Sequence, residues 1–132
     1  MNLPIMQNNN IRVLFADDHE DIRLLVTTLL GASGYQVVTA DGVASALALA
    51  HSEAFDVYLL DNKLPDGTGQ ELCERLREFD RDTPVVFFSG DAFDGDRQRA
   101  LSAGAQGYVE KPNVSALPRA IASVLRPALR AH

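Results

Sequence analysis

The chain has 132 residues and a mass of 14.4 kDa, enough for one compact domain whose single core needs neither disulfides nor a structural metal. Its net charge of −6 and pI near 4.9, with no basic stripe, exclude binding to a nucleic-acid backbone. No apolar run approaches the roughly 20 residues that span a bilayer, the N-terminus lacks the basic and apolar regions of a signal peptide, and a lone Cys73 rules out an internal disulfide framework.

The expected address is therefore the cytoplasm, with no membrane partner. Residues 1–10 read as a short frayed tail, 11–127 as one domain, and 128–132 as a C-terminal tail. Within the domain, strand-like and helix-like segments alternate. The first strand candidate, Ile11 to Ala16, runs into Asp17-Asp18. Ile22, Leu25, Val26, Leu29 and Leu30 then recur at helical spacing and give one apolar face, with Gly31 and Gly34 near the helix end. Gln36 to Thr39 is a second strand, and Val43, Ala46, Leu47 and Ala50 mark a second helix. Val57 to Leu60 is a third strand that ends on Asp61.

Pro65-Asp66-Gly67 is a turn, because proline fixes φ and glycine accepts a positive one. Leu72, Cys73, Leu76 and Phe79 predict a third helix, with Cys73 as a small core residue. Val85 to Phe88 closes on Ser89-Gly90, a fourth helix ends near Ala103-Gly104, and Gly107 to Glu110 runs into Lys111-Pro112. Leu117, Ile121, Val124 and Leu125 form the apolar face of the last helix. If Asn113 capped that helix, Pro118 would fall where an intrahelical N–H bond is required. A start near Ser115 places Pro118 in the first turn, where that donor has no partner anyway. The spacing thus predicts a late start or a kink.

Nearly continuous apolar strands are covered on both faces, and strand–helix alternation gives right-handed βαβ units around a parallel sheet. In such sheets ligands sit beyond the carboxyl ends of the strands. Asp17-Asp18, Asp61, Ser89-Gly90 and Lys111 all fall there. Carboxylates brought together repel one another unless a cation intervenes, and hard oxygen ligands suit Mg²⁺ or Mn²⁺. A carboxylate also attacks phosphorus to form an aspartyl phosphate, for which Lys111 offers a point charge and Ser89 a hydroxyl. Taken singly, the aspartate pair reads as a helix cap and solvated turn, Asp61 as a turn residue, Ser89 as loop and Lys111 as surface. Their joint placement at four strand ends argues for a site. His19 follows the acidic pair and is placed to approach the metal, but reads more readily as an exposed first-turn residue, and His51 and His132 have no ligand spacing.

From about Arg12 to Arg126 the chain resembles a response-regulator receiver domain of two-component signalling. The resemblance rests on Asp17-Asp18 after a strand, Asp61, Leu64-Pro65-Asp66-Gly67-Thr68-Gly69, Ser89-Gly90, and Gly104-Ala105-x-Gly107-Tyr108-x-x-Lys111-Pro112. It implies a flavodoxin-like, doubly wound α/β fold, a five-stranded parallel sheet of order 2-1-3-4-5 with helices on both faces. It implies that Asp61 accepts a phosphoryl group from a sensor histidine kinase or a histidine phosphotransfer protein. Asp18 would hold Mg²⁺ directly, Asp17 mainly through water, and Asp61 with the Lys63 backbone carbonyl would complete the shell. Ser89 would bind a phosphoryl oxygen, Gly90 would leave access, and Lys111 would pair with Asp61 and then with the phosphoryl group. Tyr108 occupies the place of the switch aromatic, and Lys111-Pro112 that of a cis bond. The fourth helix, fifth strand and fifth helix would present the face for a downstream protein partner, and the same face is where a homodimer would form.

Two features set this chain apart. Lys63 lies two residues beyond the acceptor and Asp91 two beyond Ser89; an ion pair between them would gate the water that attacks the acyl phosphate. The chain also stops about twenty residues after Lys111, so the expectation is a stand-alone receiver or one cut from a longer regulator or hybrid kinase. Such a domain catalyses only its own phosphorylation and dephosphorylation. A haloacid-dehalogenase-like phosphatase would need a carboxylate where Lys63 stands. A flavodoxin relative would need a glycine- and hydroxyl-rich phosphate loop where Asp17-Asp18 stands.

Overall fold

The computed structural model describes residues 11–90 and 94–130. Alternate residues of each apolar run face opposite sides of the chain, so each strand feeds two cores at once. In chain order the elements are β1 (Arg12–Ala16), α1 (Glu20–Ala32), β2 (Gln36–Ala40), α2 (Val43–Ser52) and β3 (Val57–Leu60). A short hairpin follows, β4 (Lys63–Leu64) and β5 (Gly67–Thr68), then α3 (Gly69–Arg77), β6 (Val85–Ser89), α4 (Asp94–Ser102), β7 (Gly107–Glu110) and α5 (Leu117–Arg130). The main sheet has the order β2-β1-β3-β6-β7 with every pairing parallel. This is the expected 2-1-3-4-5 order, with the hairpin inserted into the numbering.

Leu14, Tyr58, Leu60 and Phe87 pack on one face against Leu47, Leu72, Leu76 and Ala100, so α2, α3 and α4 cover that side. Val13, Phe15, Leu59 and Phe88 pack on the other against Val26, Leu30, Leu117 and Ile121 from α1 and α5. Burying a side chain of this size contributes about 1.5–3 kcal/mol each. This rigid double core holds the strand ends in place.

Several local expectations are corrected. Leu25 is 47 % exposed, because it lies one 100° step off the stripe made by Val26 and Leu30. Phe79 falls beyond α3, which ends at Arg77, and is 42 % exposed, stacked on His51 with ring centroids 3.9 Å apart. The Arg77 guanidinium turns inward instead, donating to the carbonyls of Asp80, Thr83 and Gly104 at 2.7–3.0 Å. The last helix also runs on to Arg130, past the boundary expected at residue 127. Residues 1–10 and 131–132 lie outside the described residues.

The last helix starts late. A 3₁₀ turn at Val114–Ala116 precedes it, and α5 begins at Leu117, which puts Pro118 in the first turn. α3 begins with a capping box. The Thr68 hydroxyl accepts from the Glu71 N–H at 3.0 Å, and the Glu71 carboxylate accepts from the Thr68 N–H at 3.0 Å.

Candidate functional site

The ladders of β1, β3 and β7 reach one residue past the strand ends, and those residues, with Ser89 at the end of β6, carry the site. The Asp17 N–H donates to the Ala40 carbonyl (3.0 Å), the Asp61 N–H to the Ala16 carbonyl (2.9 Å) and the Lys111 N–H to the Ser89 carbonyl (2.9 Å). Among the described residues, the buried polar or charged side chains are Asp17, Asp61 and Ser89, at 0 %, 3 % and 1 % exposure. A buried carboxylate needs a partner. Lys111 is that partner, its Nζ donating to Asp17 Oδ2 at 2.7 Å and to Asp61 Oδ2 at 3.2 Å. The sequence had led us to expect pairing with Asp61; the shorter contact is with Asp17.

The electrostatics follow from this geometry. Burial pushes the Asp61 carboxyl above the usual carboxylate value; Lys111 opposes the rise and the Asp17 charge adds to it. Burial pulls Lys111 down, but the Asp17 hydrogen bond and the two carboxylate charges outweigh it and leave its pKa raised. Asp61 opens into a cavity of about 250 Å³ lined by His19, Asp61, Lys63, Ser89, Gly90 and Lys111. Gly90 leaves that mouth clear, since a Cβ there would meet nothing within 4 Å.

The hairpin is pinned on both sides. Asp66 in its turn accepts from the α2 N-terminal amides of Val43 (2.6 Å) and Ala44 (3.0 Å), and these bonds lower its pKa. Gly69 lies so close under the acceptor that a Cβ would run into the Asp61 carbonyl oxygen and come within 2.8 Å of the Phe87 ring. Its N–H donates to the Asn62 carbonyl at 2.8 Å. The Lys63 backbone is therefore held at the site by β4–β5 pairing, with Lys63 opposite Thr68.

One donor atom from each of Asp17, Asp18, His19 and Asp61 lies within 4.8 Å of the others. Three carboxylates in so small a space form an acidic cluster of the kind at which receiver domains bind Mg²⁺, and hard oxygen donors suit that ion. Sequence reasoning set His19 aside, yet its Nδ1 is 3.0 Å from both Asp17 Oδ1 and Asp18 Oδ1. It also missed Arg23, whose guanidinium donates to the Asp17 carbonyl at 2.8 Å, and the capping role of Asp66. The adjacency of His19 to the pair was the available signal for the first; a contact across 23 residues, as for Asp66 and Val43, left none.

Tyr108 is half-buried at the sheet edge, its ring nearly parallel to Phe87 (13°, 6.4 Å) and under the Arg97 guanidinium at 5.1 Å. The Lys111-Pro112 bond is cis. Asp91 lies outside the described residues, so its pairing with Lys63 has no structural counterpart here.

Comparison with known proteins agrees with this geometry. Residues 13–122 match the family described as the response regulator receiver domain, and the chain belongs to that family of signalling domains. It is 38 % identical over 116 residues to a probable transcriptional regulator ycf27 of Guillardia theta, covering 87 % of this chain and 45 % of that protein. It is 31 % identical over 108 residues to the sensor histidine kinase RcsC of Escherichia coli K12, covering 82 % of this chain and 11 % of that one. The chain thus spans less than half the length of these relatives. Among solved structures, chemotaxis protein CheY4 of Vibrio cholerae superposes with a TM-score of 0.83 at 32 % identity, covering 87 % of this chain and 98 % of that one. A CheY-like receiver domain protein of Methanospirillum hungatei gives 0.86 at 30 %, covering 92 % and 98 %. No helix among the described residues is long and apolar enough to cross a membrane.

Proposed function

We propose that this domain is a phosphorylation-dependent switch in a two-component phosphorelay, with Asp61 as the phosphoacceptor. The observation that supports it best is a carboxylate 3 % exposed, opening only into a small cavity that also holds the Lys111 ammonium and Ser89. A carboxylate oxygen of Asp61 attacks the phosphorus of a phosphohistidine. The N–P bond breaks, an O–P bond forms, and the electron pair stays on the imidazole nitrogen, which takes up a proton. Asp17, Asp18, Asp61 and the Lys63 backbone carbonyl would hold Mg²⁺ or Mn²⁺, whose positive charge would stabilise the phosphoryl oxygens.

Lys111 gives up its contact with Asp61 and pairs with the new phosphoryl group, and the Ser89 hydroxyl donates to a second oxygen. Tyr108 then turns inward, and the face made by α4, β7 and α5 changes for a downstream protein or a second copy. The domain catalyses its own phosphorylation and dephosphorylation and turns over no external substrate. Lys63 and Asp91 gate the water that hydrolyses the acyl phosphate, and their effect is on lifetime. A sensor histidine kinase or a histidine phosphotransfer protein of the cytoplasm is the donor.

The test is incubation with a small phosphodonor and with a phosphohistidine protein, each with Mg²⁺, read by intact mass. Wild type is expected to gain one phosphoryl group and Asp61→Asn none. A wild type unmodified by both donors would overturn the reading. If Lys63→Ala and Asp91→Ala both keep the wild-type phosphoryl lifetime, the gate is absent while the acceptor stands.

A further inference from the structure

His19 enters none of the roles above, yet its ring lies among the carboxylates. Its backbone is fixed from three directions. It is the residue before α1, with extended φ and ψ of −92° and 116°. Its N–H donates to Asp17 Oδ1 at 2.8 Å, and its carbonyl accepts from the Arg23 N–H at 3.0 Å. Arg23 in turn holds the Asp17 carbonyl. The imidazole is thereby set beside the acidic pair before any ion arrives. Its side chain is 60 % exposed, so replacing its water by a metal ion carries little desolvation cost.

The carboxylate oxygens are divided between two tasks. Asp17 Oδ2 and Asp61 Oδ2 accept from Lys111, while Asp17 Oδ1 and Asp18 Oδ1 face His19 Nδ1, each at 3.0 Å. That separation has a second meaning. Neighbouring donors around an octahedral ion with bonds of about 2.1 Å lie about 3.0 Å apart, and opposite donors about 4.2 Å. The four donor atoms of Asp17, Asp18, His19 and Asp61 already lie within 4.8 Å of one another, so a small contraction brings them into one coordination sphere.

Nitrogen changes which ion such a sphere prefers. An all-oxygen set with waters suits Mg²⁺, whereas imidazole favours the later first-row dications, whose affinity rises toward Ni²⁺ and Cu²⁺. We propose that His19 Nδ1 is a fourth side-chain ligand at this site and tilts it from Mg²⁺ toward late transition-metal dications. This rests on the acidic cluster being the metal site of the proposed function, and it adds which metals that site takes. Facing two carboxylate oxygens, Nδ1 is the donor in the metal-free protein; to ligate, it would give that proton to solvent, keep the other on Nε2, and bind through its lone pair as the neutral imidazole. His19 also lines the mouth through which Asp61 is reached, so the ion that recruits it also sets the shape of the donor's entrance.

The experiment titrates the metal-stripped full chain with Mg²⁺ and with Ni²⁺ by calorimetry, for wild type, His19→Ala and His51→Ala. The quantity read is the ratio of the two dissociation constants. It should fall at least about tenfold in His19→Ala, since even an outer-shell change at a metal site costs that much. His51, stacked on Phe79 away from the site, is the control and should leave the ratio at its wild-type value. Electron-spin-echo spectra of the Mn²⁺ or Cu²⁺ form should show imidazole ¹⁴N couplings that vanish in His19→Ala. An unchanged ratio, or couplings that persist without His19, would overturn the proposal. A wild type that binds neither ion would instead remove the metal site, and with it the metal part of the proposed function.

Discussion

Replacing the acceptor should make the metal-free protein more stable. Asp61 is 3 % exposed, and its one cation, Lys111, is 3.2 Å away. At an effective dielectric of 20 that contact is worth about 5 kcal/mol of attraction. An Asp17 donor oxygen within 4.8 Å returns about 3–4 kcal/mol as repulsion. The remaining one or two kcal/mol, even with the hydrogen bond from the Lys63 backbone N–H, do not offset the several kcal/mol that removing an ion from water costs. The ionised form is thus a net liability, which agrees with a carboxyl pushed up chiefly by burial. Asp61→Asn keeps the shape and an acceptor for Lys111 while deleting the charge. A gain of about 1–3 kcal/mol is expected, or roughly 4–12 °C in Tm for a domain of this size. The sign with pH follows from the raised folded-state pKa. The fold favours protonated Asp61, so that contribution is present at low pH and lost as pH rises through the raised value. The difference between variant and wild type should therefore be small in acid and full at neutrality. Thermal scans from acid to neutral pH in chelator would measure it. Saturating Mg²⁺ should narrow the gap, by about 2.7 kcal/mol at a hundredfold excess over Kd. An Asn variant less stable than wild type at neutral pH, or a gap independent of pH, would refute the reasoning.

Lys111→Met removes the cation shared by two buried carboxylates and should cost about 3–5 kcal/mol at neutral pH, much of it recovered when Asp61→Asn is added; denaturation of the four proteins in a double-mutant cycle reads the coupling. Gly69→Ala drives a methyl into the Asp61 carbonyl and the Phe87 ring and should cost about 1–3 kcal/mol, lowering both Tm and the yield of acyl phosphate. Gly31→Ala, inside α1 with nothing within 4 Å, should instead raise stability by about 0.5–1 kcal/mol, measured by urea unfolding. Thr68→Ala deletes the α3 cap and should cost about 1 kcal/mol, read as a lower urea midpoint with an unchanged m-value.

Strands such as Val85 to Phe88 were legible because they are apolar without interruption, the pattern of a doubly covered strand, whereas the order of the sheet came only from the resemblance to receiver domains. The late start of α5 was legible because a proline lacks one donor and tolerates few helix positions. Phe79 misled because helical spacing continues past Arg77 in the sequence, while the chain itself stops the helix to let Arg77 bind three loop carbonyls. At the site, residue types at strand ends gave away Asp17, Asp61, Ser89 and Lys111. The preference of Lys111 for Asp17 depends on side-chain reach across the sheet, which spacing does not encode. The hairpin was visible as a Pro-Asp-Gly turn, but its anchoring to α2 by Asp66 joins segments 23 residues apart and has no local signature.

That anchoring bears on how the proposed phosphorylation of Asp61 would reach the face of α4 and β7. Asp61 sits on a close-packed floor, Gly69 and the hairpin pinned to α2, and its other neighbours lie along the sheet. Ser89 is in register with Glu110, and Phe87 with Tyr108, on neighbouring parallel strands. Arg97 of α4 lies over the Tyr108 ring and 3.8 Å from Glu110. A displacement of Ser89 toward a new phosphoryl oxygen would therefore be felt by the strand that carries Tyr108 and, through Arg97, by α4. Exposed ion pairs such as Arg97–Glu110 contribute only about 0–1 kcal/mol, so they resist little. The register of Ser89 with Glu110 and the Arg97 contacts to Tyr108 and Glu110 thus offer the proposed phosphorylation of Asp61 a route toward β7 and α4, away from the pinned hairpin.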